Sequence, residues 1–272
     1  MAYQLNGKVA VVTGSSSGLG EAIAVLFASR GAKVTLCGRN EERLKSVIEK
    51  AVKVSGGHKD RFLIVQGDLN DRNVRKEIVE KTVDKFGRLD ILVANAGVIH
   101  PNQSISAATE EVYDDIMNTN LKSVFFLIQE AVPHHLEKSK GNIINVSSAN
   151  TKQAVPMVTI SLLAKVALDH LTKCLAVDLG AKGIRVNSVN PGFFPTRIMR
   201  YLSDDFEQIN NIFTAVEKDK YALKGRAGTI DDLAEAALFL ASDSAGFITG
   251  ELIKVDGGRS LCGPFEASAL QK

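Results

Sequence analysis

The sequence predicts an α/β fold, with one doubly wound, mostly parallel sheet of seven strands and helices on both faces. Two observations lead to this prediction. Short apolar runs, often β-branched, alternate with helical stretches along most of the chain. The runs at 9–12, 91–93 and 143–146 are also largely apolar without alternation, which is typical of strands buried on both faces of a parallel sheet.

The individual elements follow in order along the chain. Strands are predicted at 8–13, 33–37, 62–66, 89–94, 142–146, 184–189 and 251–255. Helices are predicted at 21–30, 40–54, 72–86, 109–135, 159–179 and 230–241. Because the 272 residues contain no linker, internal repeat or low-complexity segment, we expect one domain over 1–272. The long apolar segment at about 191–229 lies outside the alternation and predicts either a lid over a ligand or a packing arm.

Composition and charge exclude several classes of function. The chain is 45% hydrophobic but has no run of 18 apolar residues, so we expect a soluble globular protein without a membrane span. A net charge of +2 without a dominant Lys/Arg cluster argues against nucleic acid or membrane as the main partner. Cys37, Cys174 and Cys262 lack metal-ligand spacing, and the N-terminus lacks a secretion signal. We therefore expect reduced thiols, no metal site and an intracellular, cytoplasmic location.

A glycine-rich turn joins the first predicted strand to the first predicted helix. The strand 8–13 ends at Gly14, and further glycines stand at Gly18 and Gly20 before the helix begins. Glycine permits a tight turn and a close approach of a pyrophosphate to the backbone, and the helix N-terminus offers free N–H groups to the phosphates. Such turns also occur without a ligand, but the strand at 33–37 completes a βαβ unit and favours dinucleotide binding. The phosphate-binding candidates of this turn are Gly14, Ser15, Ser17, Gly18, Leu19 and Gly20.

The residues after the second strand indicate which dinucleotide binds. An acidic residue at this point would bind both ribose hydroxyls and select NAD, but the chain has Gly38, Arg39 and Asn40. A guanidinium suits a 2′-phosphate through charge-assisted hydrogen bonds, so we expect NADP(H) to be preferred over NAD(H). The alternative is a solvated Arg39 that opens helix 40–54 and pairs with Glu42. The glycine turn upstream favours the cofactor interpretation.

Several further motifs follow in a fixed order, and together they resemble the short-chain dehydrogenase/reductase family from Gly7 to about Leu261. Each motif alone is unspecific, but the combination is highly specific. The motifs are Thr13-Gly14 with Gly18-Leu19-Gly20, Gly67-Asp68-Leu69, Ala94-Asn95-Ala96-Gly97, Asn120, Ser148, Lys165, Pro191-Gly192 with Thr196, and Val255-Asp256-Gly257-Gly258. The resemblance implies a Rossmann-type fold whose cofactor-binding residues also include Asp68, Leu69, Asn95, Ala96, Gly97, Lys165, Pro191, Gly192 and Thr196.

The resemblance also implies a four-residue active site. In the family a hydride passes between nicotinamide and a carbonyl carbon while a tyrosine gives a proton to the oxygen. A lysine lowers the pKa of that tyrosine and binds the nicotinamide ribose, a serine polarises the substrate oxygen, and an asparagine positions a water. Asn120, Ser148 and Lys165 match three of these places. Ser148 is favoured over Ser147 because it lies thirteen residues before position 161, the family's usual serine-to-tyrosine separation.

The fourth place, four residues before Lys165, holds Ser161 instead of tyrosine. A phenol has a pKa of about 10, and an aliphatic alcohol is a much weaker acid. Serine is also shorter by a whole aromatic ring, so it does not reach where the phenol would. We therefore expect an impaired or altered proton relay, with Tyr201 or water as the candidate replacement acid.

Three functional classes are compatible with this pattern. The first is an NADP(H)-dependent oxidoreductase acting on a small carbonyl or secondary alcohol, and we favour it. The second is a cofactor-binding pseudoenzyme that senses the nucleotide or regulates a partner, and the third is a structural subunit. The expected substrate pocket is largely apolar and contains Phe193, Phe194, Met199 and Tyr201. In the family the helices matching 109–135 and 159–179 pack subunits together, so we expect a homodimer or homotetramer.

Overall fold

The computed structural model describes residues 3–262 and contains the predicted seven-stranded sheet. The strands are β1 (Val9–Thr13), β2 (Lys33–Gly38), β3 (Phe62–Gln66), β4 (Ile91–Ala94), β5 (Asn142–Val146), β6 (Arg185–Pro191) and β7 (Leu252–Val255). Their order is β3-β2-β1-β4-β5-β6-β7, and every pairing is parallel. The strand order reverses between β1 and β4, where connections leave in opposite directions and open a crevice at the carboxyl ends of the strands.

The helices lie on the two faces of this sheet and enclose two apolar cores. They are α1 (Gly18–Ser29), α2 (Glu41–Val54), α3 (Arg72–Phe86), α4 (Glu110–Met117), α5 (Ser123–Ala131), α6 (Glu137–Ser139), α7 (Thr159–Gly180), α8 (Phe206–Lys218) and α9 (Ile230–Ala241). Helices α1, α2 and α9 pack with Val12 on one face, whereas α3, α5 and α7 pack with the adjacent Val11 on the other. Neighbouring residues of a strand point to opposite faces, and both faces are buried here. This burial explains why the strands are apolar without alternation.

The helix predicted at 109–135 is present, but it contains two π-helical turns. This stretch consists of α4, a π-helical turn over Asn118–Lys122, α5, and a second π-helical turn over Val132–Leu136. The first turn contains Asn120, whose side chain is buried and hydrogen-bonded to the backbone of Val98 on a distant loop. A π-turn inserts one residue into the helical repeat. The tertiary contact of Asn120 therefore coincides with an interruption that periodicity did not reveal.

The segment 191–229, called the lid segment below, has secondary structure of its own. A 3₁₀ helix over Arg197–Tyr201 is followed by α8, and Asp205 is the N-cap residue directly before α8. The Asp205 side chain accepts a hydrogen bond from the backbone N–H of Gln208 at 3.0 Å. Among residues 3–262, none of the helices is both long and apolar enough to span a bilayer.

Candidate functional site

A cleft of about 230 Å³ opens at the carboxyl ends of β1 and β4, where the strand order reverses. Its wall includes most of the residues that the sequence predicts for the cofactor. Those lining it are Gly14, Ser17, Gly18, Leu19, Arg39, Asp68, Leu69, Asn95, Ala96, Gly97, Lys165, Pro191 and Thr196. The cleft thus joins the glycine turn, the end of β2 and the start of the lid segment into one continuous surface.

The glycine turn packs so closely that its glycines cannot be replaced without movement. Gly14 has a φ of +64°, and a Cβ there would lie 2.8 Å from Cα of Ala96. A Cβ on Gly20 would lie 2.5 Å from the carbonyl oxygen of Gly14. The amide of Asn95 donates to the carbonyl of Thr13 at 2.8 Å and holds β4 against the turn. Ser17, at the N-terminus of α1, makes no side-chain cap, which leaves the first N–H groups of the helix available to an anion.

Other predicted cofactor residues support the cleft without lining it. The Ser15 hydroxyl is buried and accepts a hydrogen bond from the backbone N–H of Cys37 at 3.0 Å. Asn40 caps α2 by accepting from the N–H of Arg43 at 2.8 Å. The N–H of Gly192 donates to the carbonyl of Val255 at 3.0 Å, which ties the start of the lid segment to β7. These three residues thus hold backbone segments next to the cleft in place by hydrogen bonds.

Arg39 lies at the end of the cleft that the sequence assigns to the adenosine ribose. Its guanidinium is 3.8 Å from the Asp68 carboxylate and donates a hydrogen bond to the Tyr201 hydroxyl at 2.5 Å. The sequence-based alternative paired Arg39 with Glu42, but the ion pair in the structure is with Asp68. The Tyr201 hydroxyl also accepts from Arg200 at 3.2 Å, so in this structure its partners are two arginines.

Lys165 projects from α7 into the cleft, and its ammonium group donates to the carbonyl of Val146 at 2.6 Å. Burial lowers the pKa of Lys165 to about 8, and the nearby charge of Asp169 opposes this shift. Near neutral pH the side chain is therefore a cation that loses its proton more readily than an ordinary lysine.

Asn120 is nearly inaccessible and has both ends of its amide satisfied. Its Oδ1 accepts from the N–H of Val98 at 2.8 Å, and its Nδ2 donates to the carbonyl of Val98 at 2.9 Å. This pair of bonds joins the π-turn to the segment that follows β4.

The two adjacent serines after β5 have different partners. Ser148 caps a short 3₁₀ helix by accepting from the N–H of Asn150 at 3.2 Å. Ser147 lines the cleft, and its hydroxyl donates to the carbonyl of Lys165 at 3.1 Å. The thirteen-residue spacing selects Ser148 as the candidate catalytic hydroxyl, and that selection remains a prediction.

Ser161 lies one helical turn before Lys165 on α7. Its backbone N–H donates to Oε1 of the buried Gln103 at 2.8 Å, and Gln103 in turn donates to the carbonyl of His100 at 2.7 Å. The Ser161 hydroxyl is buried and has no hydrogen-bond partner within residues 3–262. An unpaired buried hydroxyl is costly, and within α7 the Ser161 hydroxyl is the side-chain group in this condition.

The four predicted substrate residues lie in the lid segment in different environments. Phe193 stacks on Phe213 with ring centroids 5.6 Å apart, and Phe194 is buried in the core on the α1 face. Met199 is buried, whereas Tyr201 packs against a small apolar cluster that includes Ile160 and Ala164 of α7. The contact of Tyr201 with α7 places its ring near the helix that carries Ser161 and Lys165.

Comparison with known proteins identifies the family. The family model described as enoyl-(acyl carrier protein) reductase matches residues 14–260. The chain belongs to the short-chain dehydrogenase/reductase family. The matched range contains the glycine turn, the residues that line the cleft and the lid segment.

Several similar proteins have reductase or dehydrogenase names. The 3-oxoacyl-[acyl-carrier-protein] reductase FabG of Thermotoga maritima is 36% identical over 255 residues, covering 94% of this chain and 98% of that protein. The glucose 1-dehydrogenase of Gluconobacter oxydans is 36% identical over 261 residues, covering 96% and 94%. A crystal structure of a short-chain dehydrogenase/reductase of unknown function from Caenorhabditis elegans, solved with cofactor, has a TM-score of 0.89 and 36% identity. It covers 95% of this chain and 97% of that chain.

Sequence reasoning missed several residues of this short-chain dehydrogenase/reductase that face the cleft. They include Ser16, Thr119, Val146, Ser147, Arg197 and Arg200. Most of them are sequence neighbours of a predicted residue. The sequence alone does not indicate which of two neighbouring side chains points into the cleft. Arg197 and Arg200 could have been predicted to face the cleft together. They are three residues apart directly after Thr196, and residues at this spacing lie on one side of a helical turn.

Proposed function

We propose that this chain is an NADP(H)-binding oxidoreductase that transfers a hydride between the nicotinamide and a carbonyl or secondary alcohol. Its proton relay is impaired or altered because Ser161 stands where the family has tyrosine. The cofactor supplies the hydride, and the protein supplies the binding, the orientation and the proton at the substrate oxygen. Asn120, Ser148 and Lys165 are the proposed partners of this chemistry.

The observation that carries the proposal is the continuity of the cleft from the glycine turn to Lys165. Its walls contain what a dinucleotide requires: an uncapped helix N-terminus at Ser17, a cation at Arg39 and a half-buried lysine at Lys165. The close packing around Gly14 and Gly20 is the arrangement that brings backbone N–H groups near a pyrophosphate. The named relatives act as reductases or dehydrogenases, which agrees with a redox role.

The alternative is a cofactor-binding pseudoenzyme with a sensing, regulatory or oligomer-structural role. It is favoured by the buried, unpartnered hydroxyl of Ser161, which cannot replace a phenol in acid strength or in reach. The hydroxyl of Tyr201 is held by Arg39 and Arg200 and would have to leave both before serving as the acid. We propose a homo-oligomer in an intracellular location for either function, and its cysteines Cys37, Cys174 and Cys262 are free thiols.

Cofactor preference tests the role of Arg39. We expect wild-type protein to bind NADPH more tightly than NADH by on the order of 1–3 kcal/mol, the scale of a charge-assisted hydrogen bond. The Arg39→Ala variant should lose much of that difference while keeping its affinity for NADH, as measured by calorimetric titration. Equal wild-type affinities for the two cofactors, or an NADPH affinity that Arg39→Ala leaves unchanged, would contradict the preference.

A pair of substitutions at Ser161 tests the broken relay. In a screen of carbonyls and alcohols with NADPH and NADP⁺, wild-type turnover should be very low. The Ser161→Tyr variant should raise it by about 10²–10⁴, the usual contribution of general acid catalysis. Ser161→Phe is the matched control because it adds the same ring without the hydroxyl, and it should stay inactive.

Two results would overturn this account of the relay. One is an equal gain from Ser161→Tyr and Ser161→Phe, since the ring and not the acid would then matter. The other is brisk wild-type turnover that survives Ser161→Ala and collapses in Tyr201→Phe, which would assign the acid to the lid segment. The pseudoenzyme alternative would be supported if the wild type binds NADPH and if the wild type, Ser161→Tyr and Ser161→Phe are all inactive on every substrate tested.

A further inference from the structure

Four arginines gather around the adenosine end of the cleft, and they come from two distant parts of the chain. Arg39 and Arg43 follow β2, whereas Arg197 and Arg200 lie in the 3₁₀ helix of the lid segment. Arg39, Arg197 and Arg200 line the cleft itself. The pKa of Arg43 is lowered by burial and by repulsion from Arg197, Arg200 and Arg39, so these three charges lie close enough to act on Arg43.

Acidic side chains do not balance this cluster. Within the described part of the chain, the ion pair of these four residues is that of Arg39 with Asp68, at 3.8 Å and about half exposed. The Nε atoms of Arg43 and Arg197 are buried and have no hydrogen-bond partner among residues 3–262. Like charges held together without an anion destabilise the site, and a bound anion would relieve both the repulsion and the unpaired donors.

Two of the guanidinium groups converge on one point from opposite walls. The hydroxyl oxygen of Tyr201 accepts a hydrogen bond from Nη2 of Arg39 at 2.5 Å and another from Nη2 of Arg200 at 3.2 Å. The Arg200 guanidinium also lies 4.4 Å from the centre of the Tyr201 ring. A neutral phenol thus occupies a position where two cations point, and an anionic phosphate oxygen would be the stronger acceptor there.

We infer that Arg200 is a specificity-determining residue that, together with Arg39, clamps the 2′-phosphate of NADP(H) from the lid side. The inference rests on the proposed cofactor preference and extends it from β2 to the lid segment. The phosphate displaces the Tyr201 hydroxyl from the two guanidiniums, while Arg43 and Arg197 add positive charge around it. NAD(H) has no group at this position, so with NAD(H) the two guanidiniums keep the Tyr201 hydroxyl as their acceptor.

Fragments of the cofactor test the clamp without any catalytic readout. Calorimetric titration of 2′,5′-ADP and of 5′-ADP isolates the 2′-phosphate from the nicotinamide. Arg200→Ala should weaken 2′,5′-ADP by about ten- to a hundredfold, the scale of a charged hydrogen bond, and leave 5′-ADP unchanged. Arg72→Ala, at an exposed position on α3, is the matched loss of charge and should change neither affinity. Amide exchange over 197–218 should slow with 2′,5′-ADP in the wild type but not in Arg200→Ala.

The outcomes separate the clamp from the proposed function. If Arg200→Ala leaves 2′,5′-ADP binding unchanged while Arg39→Ala weakens it, the clamp is wrong and the cofactor preference stands. If the wild type binds both fragments equally, the preference itself fails. Equal weakening of both fragments by Arg200→Ala would also overturn the clamp, because it indicates a general structural effect. Tyr201→Phe removes the competing hydroxyl and should keep or raise the affinity for 2′,5′-ADP, and a loss there would assign binding to the hydroxyl instead.

Discussion

Lys165 is a half-buried lysine whose ammonium group has a carbonyl oxygen as its hydrogen-bond partner. Its ammonium donates to the carbonyl of Val146, and Asp169 on the same helix supplies the opposing negative charge. The Asp169 carboxylate itself accepts hydrogen bonds from the Asn190 amide at 3.0 and 3.2 Å, so it interacts with Asn190 as well as with Lys165. Burial therefore dominates and lowers the pKa to about 8.

This shift predicts how stability depends on pH. The pKa of Lys165 is about 8 in the folded protein and 10.5 in its ordinary state, so between these values the unfolded chain binds more protons. The destabilisation from charging Lys165 is present below pH 8 and disappears as the pH rises toward 10.5. The free energy of unfolding of the wild type should therefore rise relative to Lys165→Met over this window.

Urea unfolding of the two proteins across this pH range measures the difference. Lys152→Met is the control because Lys152 is exposed, and its pH profile should run parallel to the wild type. Parallel profiles for the wild type and Lys165→Met would show that Lys165 titrates as an ordinary lysine.

The π-turn over Asn118–Lys122 is the element that links α4 and α5 to the cleft. It brings the Asn120 amide to the backbone of Val98, where the amide satisfies one donor and one acceptor. Val98 is itself buried, so its backbone groups have no easy access to water. The turn is therefore held by a tertiary contact as well as by its own helical bonds.

Removing this contact should destabilise the protein. Asn120→Ala leaves the buried N–H and C=O of Val98 unpaired, and each such group costs about 1–3 kcal/mol. We expect a lower urea midpoint by an amount corresponding to about 2–6 kcal/mol in total. Asn118→Ala, in the same turn and without the bonds to Val98, is the matched control and should have a much smaller effect. A midpoint that Asn120→Ala leaves unchanged would show that the turn forms without the amide.

The whole molecule exposes apolar side chains on the two helical regions that the sequence predicts as subunit contacts. On α7 these are Leu163, Val166 and Val177, which share one face because they are three and fourteen residues apart. On α5, Phe125 is also exposed. Exposed apolar side chains on one helix face are typical of an interface, and we expect a second copy of the chain to cover them with the same two helices.

This surface predicts the oligomeric state. Wild-type protein should have the mass of a dimer or tetramer by light scattering at micromolar concentration. Val166→Glu combined with Val177→Glu should lower that mass, because it places charges where apolar faces meet. The control is Val54→Glu at the end of α2, which changes an exposed valine outside these helices and should leave the mass unchanged. A wild-type monomer, or a double variant of unaltered mass, would exclude this interface.

The fold was predictable from the sequence because its signals are local. A strand buried on both faces must be apolar throughout, and a turn as tight as Gly14–Gly20 must be glycine-rich, so both remain visible in the linear chain. The seven strands and their parallel arrangement are confirmed. The helix predicted at 109–135 is present, but its two π-turns were not predicted, because no residue type marks a π-turn in the linear chain.

By itself the sequence determined the α/β architecture, the glycine turn, and the presence of Ser161 one helical turn before Lys165. These follow from short-range spacing, where a residue's neighbours set its backbone and its face. Only the tertiary structure decided that Arg39 and Arg200 meet at the Tyr201 hydroxyl, across 162 positions between Arg39 and Tyr201. It also decided that Ser161 keeps a buried hydroxyl without a partner in the described part of the chain. Such contacts depend on how distant segments pack, and no local pattern of residue types records that packing.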